Sequence, residues 1–214
     1  MLDRVTWFRQ ASFSWRDGER TIYVDPWNTP EDAPPADVIL ITHAHDDHYC
    51  LDDIVRLSRE GAALVAPKDV AQELSGDVTT VAPDETHEVN GLRFRTVHAY
   101  NTREEALEFH PRANRWVGYV LELDGGSYYF AGDTDHAPEL DQIRTDVAFV
   151  PVGGYYTMDV PEAAGLVQTI GPQLAVPMHY GFVVGSAGDG DAFRDAAAPV
   201  PVEVMTPVEA FHRP

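Results

Sequence analysis

The chain has 214 residues, long for one average domain and short for two, so a single domain over 1–214 with a sizeable core is the expectation. Hydrophobic residues at 44% and charged residues at 23% are ordinary globular proportions and exclude a disordered chain. The balance of 35 acidic against 15 basic residues, net −20 with Lys68 the one lysine, argues against nucleic acid or anionic lipid as a partner.

Short apolar or alternating runs recur from the N-terminus and read as strands: 5–15, 21–25, 37–42, 63–66, 92–97, 116–123, 127–132, 146–151, 174–178 and 201–205. Helices are expected between them over 51–60, 67–74, 161–170 with Pro161 in the first turn, and 191–198. Strands that alternate with helices imply a layered α/β sandwich. The longest irregular piece, about 99–115, is long for a connection inside a compact domain and so points to function.

No apolar run approaches the roughly 20 residues of a membrane span, and the first residues, MLDRVTWFRQ, lack the basic and then apolar regions of a signal peptide. A cytoplasmic location is the expectation, with a small-molecule substrate and a homo-oligomer left open. High acidity with almost no lysine is also what a salt-adapted cytoplasm favours, because dense carboxylates hold water while salt screens their repulsion. A halophilic source is therefore a hypothesis, and a melting temperature that failed to rise from low to molar salt would sink it. Cys50 is the only cysteine, so any metal must sit on histidine and carboxylate.

Such a site is written in ITHAHDDHYC, 41–50, where His43, His45, Asp46, Asp47 and His48 follow the buried-type strand DVILIT. The loop at the C-terminal end of a strand is where α/β sheets place ligands. His43 and His45, two apart, point the same way if the chain stays extended. A polar cap before helix 51–60 is the plain alternative, but it does not explain so many ligand-type side chains in six positions. Two further strand ends carry matching groups: Asp133 after YYFAG, and His179 after LAVPM.

The ordered set H-x-H-x-D-H, then a histidine-bearing loop, then GDT with Asp133 and PMHY with His179, resembles the metallo-β-lactamase superfamily. It is most similar to a small group of metal-dependent hydrolases related to ascorbate-6-phosphate lactonases and N-acyl-phosphatidylethanolamine phospholipases. VDPW at 24–27 and PVGGYYTMDVPEAAG at 151–165 extend the resemblance over nearly the whole chain. It implies a four-layer αβ/βα sandwich and two divalent metals, most often Zn²⁺, with Mn²⁺ or Fe²⁺ as alternatives. It also implies that His43 and His45 bind the first metal, that Asp47, His48 and His179 bind the second, and that Asp133 bridges them. Asp47 and Asp133 would then be the catalytic carboxylates, and a hydroxide between the metals would cleave a small ester, lactone or phosphodiester. The third ligand of the first metal is either His98, at a strand end, or His110, in the long loop; the group's usual histidine position falls nearer Asn101.

Asp25 is a candidate to orient a ligand histidine through its other ring nitrogen, and Tyr155, Tyr156 and Thr157 are candidates to line the pocket. Asp46 is expected either to face outward or to act as an acceptor behind the ligands. His87, His136 and His212 are expected at the surface or behind the ligands rather than among them. The competing function is a non-hydrolytic metal protein, either a di-iron redox module or a metal-dependent sensor.

Overall fold

The computed structural model describes residues 1–213. Two six-stranded mixed sheets face each other. The first runs in chain order: β1 (Val5–Arg9), β2 (Ser12–Asp17), β3 (Arg20–Val24), β4 (Ala36–Leu40), β5 (Ser58–Pro67) and β6 (Val78–Val81). Its first three strands pair antiparallel and the rest parallel. The second contains β7 (Thr86–Val89), β8 (Leu92–His98), β9 (Val117–Leu123), β10 (Gly126–Phe130), β11 (Val147–Pro151) and β12 (Leu174–Met178), again in sequence order across the sheet. Here β7 to β10 pair antiparallel, and β10, β11 and β12 pair parallel.

The pleat decides which side chains meet. In β3 and β4, Ile22, Val24, Val38 and Leu40 enter the core between the sheets. Their neighbours Tyr23 and Ile39 turn the other way, into a smaller cluster with Ile54 and Leu57 of α1 (Leu51–Leu57) and Val70 of α2 (Lys68–Ala71). Between the sheets, Phe13 and Trp15 meet Phe149 edge-on at ring distances of 5.1 and 5.3 Å. Each such buried ring contributes roughly 1.5–3 kcal/mol of transfer free energy. Helices α3 (Val160–Ile170) and α4 (Asp189–Ala196) cover the far face of the second sheet, so the layers run α, β, β, α. Asp159 caps α3 by accepting from the Glu162 N–H at 3.0 Å, and Gly171 closes it at a φ of 62°.

Several expected elements differ in extent. The 5–15 run is two strands, because the chain turns at Gln10, whose φ is 43°. The helix expected over 51–60 stops at Leu57, where Ser58 turns extended and its hydroxyl donates to the Ile54 carbonyl at 2.7 Å. The helix expected over 67–74 is the single turn Lys68–Ala71. The run 201–205 makes one isolated bridge, Val202 to Ala175, rather than a strand. Strands β6 and β7 have no counterpart in the sequence reading: each is a four-residue edge strand with polar residues at two or three positions, too short to show the apolar or alternating pattern that marks the others. Among the described residues, no helix is long and apolar enough to cross a membrane.

Candidate metal centre

The site lies where the strand ends of the two sheets meet. After β3 the chain takes a left-handed turn at Asp25, φ 47°, and its carboxylate is fully buried. One Asp25 oxygen accepts from the Thr42 N–H at 2.8 Å, and the other accepts from the Thr42 hydroxyl at 2.6 Å and from His48 Nδ1 at 2.7 Å. Since Thr42 spends its hydroxyl hydrogen on Asp25, its oxygen is an acceptor toward His43 Nδ1, 2.9 Å away. Both histidines are thereby held through Nδ1 and turn Nε2 toward the cleft, the arrangement in which an outer carboxylate sets tautomer and ring angle for a metal ligand.

His110 is held in the same manner from the long loop. Its Nδ1 donates to Asn101 Oδ1 at 2.8 Å, and the Asn101 N–H donates to the His110 carbonyl at 2.9 Å, so the loop is closed on itself. The Asn101 amide hydrogens go to Asp135 Oδ1 and the Tyr156 carbonyl, which fixes the amide with its oxygen facing His110. Buried Asp135 in turn accepts from the Thr102 and Arg103 N–H groups and from the Arg103 guanidinium.

Three groups of ligand-type atoms come close enough to hold an ion: His43, His45 and His110; Asp47, His48 and His179; and Asp25, His43 and His48. The third shares its histidines with the other two, and Asp25 is already engaged with Thr42 and His48, so the first two are the candidate positions. Asp133 stands between them. Its Oδ2 is 3.3 Å from His110 Nε2 and 3.1 Å from His179 Nε2, and its Oδ1 is 3.3 Å from His48 Nε2.

The donor chemistry fits divalent cations. His43 Nε2 faces His45 Nδ1 at 3.1 Å, and burial holds both imidazoles below their ordinary pKa, so neutral nitrogens with lone pairs meet there. Among the described residues, the buried His48 Nε2, His110 Nε2 and Asp133 Oδ1 have no hydrogen-bond partner, and all three face the same space. Burial works against charge at His179, but Asp133 and Asp47 outweigh it and hold the imidazole up at about 9. His48 is likewise raised, by Asp133 and Asp47 against burial. Asp133 itself sits well below the usual carboxylate range, because His179 and His48 overcome the burial that would raise it. So much buried histidine and carboxylate in one place is costly without ions and is the ordinary ligand set of Zn²⁺.

The structure therefore gathers His43, His45, Asp47, His48, His110, Asp133 and His179. It does not bring His98 to them: His98 Nε2 lies 3.4 Å from exposed Asp84, in a separate cleft with Arg95 and Glu139. The strand end that made His98 a candidate belongs to β8, and the chain continues from it to the buried Asn101 before His110 enters. Asp46 is exposed at the mouth, Tyr156 lines the cleft, Tyr155 stands at its rim, and Thr157 is buried outside its lining. His87, His136 and His212 contact Glu85, Asp141 and Glu209 and take no part.

Two residues at the site carry no sequence signal. Gln10, fully buried, donates from Nε2 to Asp47 Oδ2 at 3.0 Å, sits 2.9 Å from His179 Nε2, and accepts the His179 N–H on its carbonyl at 2.9 Å. Trp116 forms a wall, with its ring centre 5.0 Å from that of His43 and 5.1 Å from that of His45. His179 takes a left-handed φ of 58°, as strained residues at functional sites often do. Gly153 lets it approach, since a Cβ there would stand 2.2 Å from the His179 carbonyl oxygen.

The cleft holds about 370 Å³ and is lined by His45, Asp46, Asp47, Phe109, His110, Asp133, Tyr156, His179 and Val183. Of the candidate ligands, His45, Asp47, His110, Asp133 and His179 line it, whereas His43 and His48 lie behind them.

A family model described as a β-lactamase superfamily domain matches residues 4–179. A UPF0173 metal-dependent hydrolase of Methanopyrus kandleri is 32% identical over 98% of this chain and all of that one. Another from Methanoculleus marisnigri is 38% identical over 83% of this chain and 80% of that one. A crystal structure from Parabacteroides distasonis, assigned provisionally as a metal-dependent hydrolase, superposes with a TM-score of 0.84 at 30% identity, covering 94% of this chain and 91% of that one. With the two sheets, the flanking helices and the histidine-aspartate cluster at their edge, these matches place the chain in the β-lactamase superfamily, within its UPF0173 metal-dependent hydrolases.

Proposed function

We propose that the protein hydrolyses an ester, lactone or phosphodiester bond in a small molecule, using two divalent metal ions, Zn²⁺ first among the candidates and Mn²⁺ or Fe²⁺ next. The observation that carries this reading is the convergence of two ligand groups on Asp133 at the floor of an open cleft. His43, His45 and His110 would hold one ion, Asp47, His48 and His179 the other, and Asp133 would reach both. A metal pair bound there supplies an acidified water as nucleophile and electrophilic pull on the scissile group.

The chain's own residues do the rest. Asp25, Thr42 and Asn101 keep His43, His48 and His110 in the tautomer that offers Nε2. Trp116 shields the first ligand group from water on one side. Asp47 and Asp133, the carboxylates that line the cleft floor, are positioned to orient the attacking water. Both are held as carboxylates: for each, facing histidines overcome the effect of burial.

Full-length protein, stripped by a chelator and reloaded with Zn²⁺ or Mn²⁺, should cleave members of a panel of aryl esters, lactones and bis(4-nitrophenyl) phosphate. Asp133→Asn should lower kcat by orders of magnitude. Metal-replete protein inert on the whole panel, yet able to take up electrons, would favour a redox protein and overturn the hydrolytic reading.

A further inference from the structure

Resting on the hydrolytic reading, we propose that the cleft selects uncharged substrates bearing a bulky apolar or aryl group, seated on a wall of Phe109, Tyr156, Tyr155 and Val183. Phe109, Tyr156 and Val183 line the cleft directly beside His45, His110 and His179. Tyr155 extends the wall at the rim, with ring centres 4.6 Å from Tyr156 and 5.7 Å from Phe109, and Phe109 lies 4.7 Å from Tyr156. The three rings are thus a continuous aromatic surface leading from solvent to the ligand atoms.

Two features mark this surface as built for a ligand. Tyr155 is 68% exposed and Val183 40% exposed, and with the cleft-lining Phe109 and Tyr156 they form a contiguous apolar surface rather than single exposed side chains. Tyr155 also holds a left-handed φ of 58° directly after the Gly153–Gly154 turn, a conformation bulky residues rarely adopt unless the site requires it. With that backbone the Tyr155 ring stands exposed at the rim, against Phe109 and Tyr156.

Charge sets the other half of the selectivity. No lysine or arginine lines the cleft, whereas Asp46, Asp47 and Asp133 do. Arg103, beside the wall, spends its guanidinium on Asp135 and on the Thr157 carbonyl at 2.8 Å. Phosphate recognition ordinarily recruits free arginine, lysine or a helix N-terminus. The chain's own side chains therefore make the cleft negative, and the chain carries −20 overall. An anionic phosphodiester or phosphorylated sugar therefore finds no cationic side chain in the cleft and meets its carboxylates, while a neutral ester or lactone meets no such repulsion.

The test uses metal-loaded, full-length protein with 4-nitrophenyl acetate, butyrate and octanoate, and bis(4-nitrophenyl) phosphate as the anionic comparison. From acetate to octanoate, kcat/KM should rise roughly tenfold or more, mainly through KM, since each added methylene in an apolar pocket gains selectivity. The phosphodiester should trail every ester. Phe109→Ala and Tyr155→Ala should flatten the chain-length dependence while the measured metal content stays at the wild-type value. A flat wild-type series, or a phosphodiester ahead of octanoate, would overturn the proposal and leave the hydrolytic reading standing. If nothing in the panel is cleaved, that reading fails and the wall is judged by saturation-transfer NMR with acetanilide, an uncharged aryl probe. A signal lost in both alanine variants would support the subsite, and no signal with the wild type would overturn it.

Discussion

Replacing His110 by Ala, with His98→Ala as its partner experiment, tests the assembly of the first metal position. His110 Nε2 faces Asp133 at 3.3 Å and groups with His43 and His45, whereas His98 faces exposed Asp84. If about 10–16 kcal/mol of zinc binding is shared among four ligands, each is worth roughly 3–4 kcal/mol. Losing one would weaken the site by on the order of a hundredfold to a thousandfold. The change also leaves buried Asn101 Oδ1 without its donor, at about 1–3 kcal/mol of stability, so His110→Ala should still fold with a lower Tm. His98→Ala breaks one contact to a carboxylate whose side chain is 76% exposed, worth at most about 1 kcal/mol. Equilibrium dialysis against buffered Zn²⁺, followed by elemental analysis, counts the ions in each variant. The expectation is one ion in His110→Ala at a free zinc level that fills both positions of the wild type, and two in His98→Ala. Two ions retained in His110→Ala, with one lost in His98→Ala, would refute the reasoning.

Gln10→Ala removes the donor that holds Asp47 beside His179, and such outer partners typically contribute about 10–100-fold to metal affinity; dialysis should show the second ion weakened by that factor and the first untouched. Gln10→Glu should be worse, since it sets a carboxylate against Asp47. Asn101→Ala breaks the bonds to His110, Asp135 and the Tyr156 carbonyl, so at about 1 kcal/mol each, chemical denaturation should report a loss of roughly 3 kcal/mol, together with weaker binding of the first ion. Gly153→Ala drives a methyl group to 2.2 Å from the His179 carbonyl oxygen, so the loop must shift; metal counting should find the second ion weakened, and unchanged stoichiometry with unchanged Tm would show that the loop gives way freely.

The layered fold was legible because most of its strands are buried on one or both faces, and burial writes apolar or alternating runs into the chain. Val38 and Leu40 pack between the sheets and Ile39 and Ile41 under the helices, so the four central residues of DVILIT have no choice but to be apolar. Edges follow another rule. Val78–Val81 and Thr86–Val89 are edge strands of the two sheets, four residues each and with Val81 their one buried residue, so no run of buried positions marks them in the sequence. The Gln10 turn hid for a related reason: the runs on both sides of it are buried, and a fully buried glutamine between them reads as a polar position of one long strand.

The site divides along the same physical line. His43, His45, Asp47, His48, Asp133 and His179 are placed by the ends of buried strands, and an apolar run followed by a ligand residue announces such a place. His110 is placed by hydrogen bonds that close a loop: Asn101 zips to it, Asp135 grips Asn101, and Arg103 ties Asp135 to the Tyr156 segment. Asn101 and Asp135 are 34 positions apart and Asn101 and Tyr156 are 55 apart, so no local pattern records the partnership. That difference has a mechanical consequence. Candidate ligands on strand ends inherit the stiffness of the sheets, while His110 is only as fixed as the Asp135 network. The same loop carries Phe109 into the aromatic wall, so movement that loosens His110 also reshapes the surface on which substrate is proposed to sit. Arg103→Ala should then couple two readouts, weakening the first ion and the preference for long acyl chains together; a loss of either one alone would show that ligand and wall are held independently.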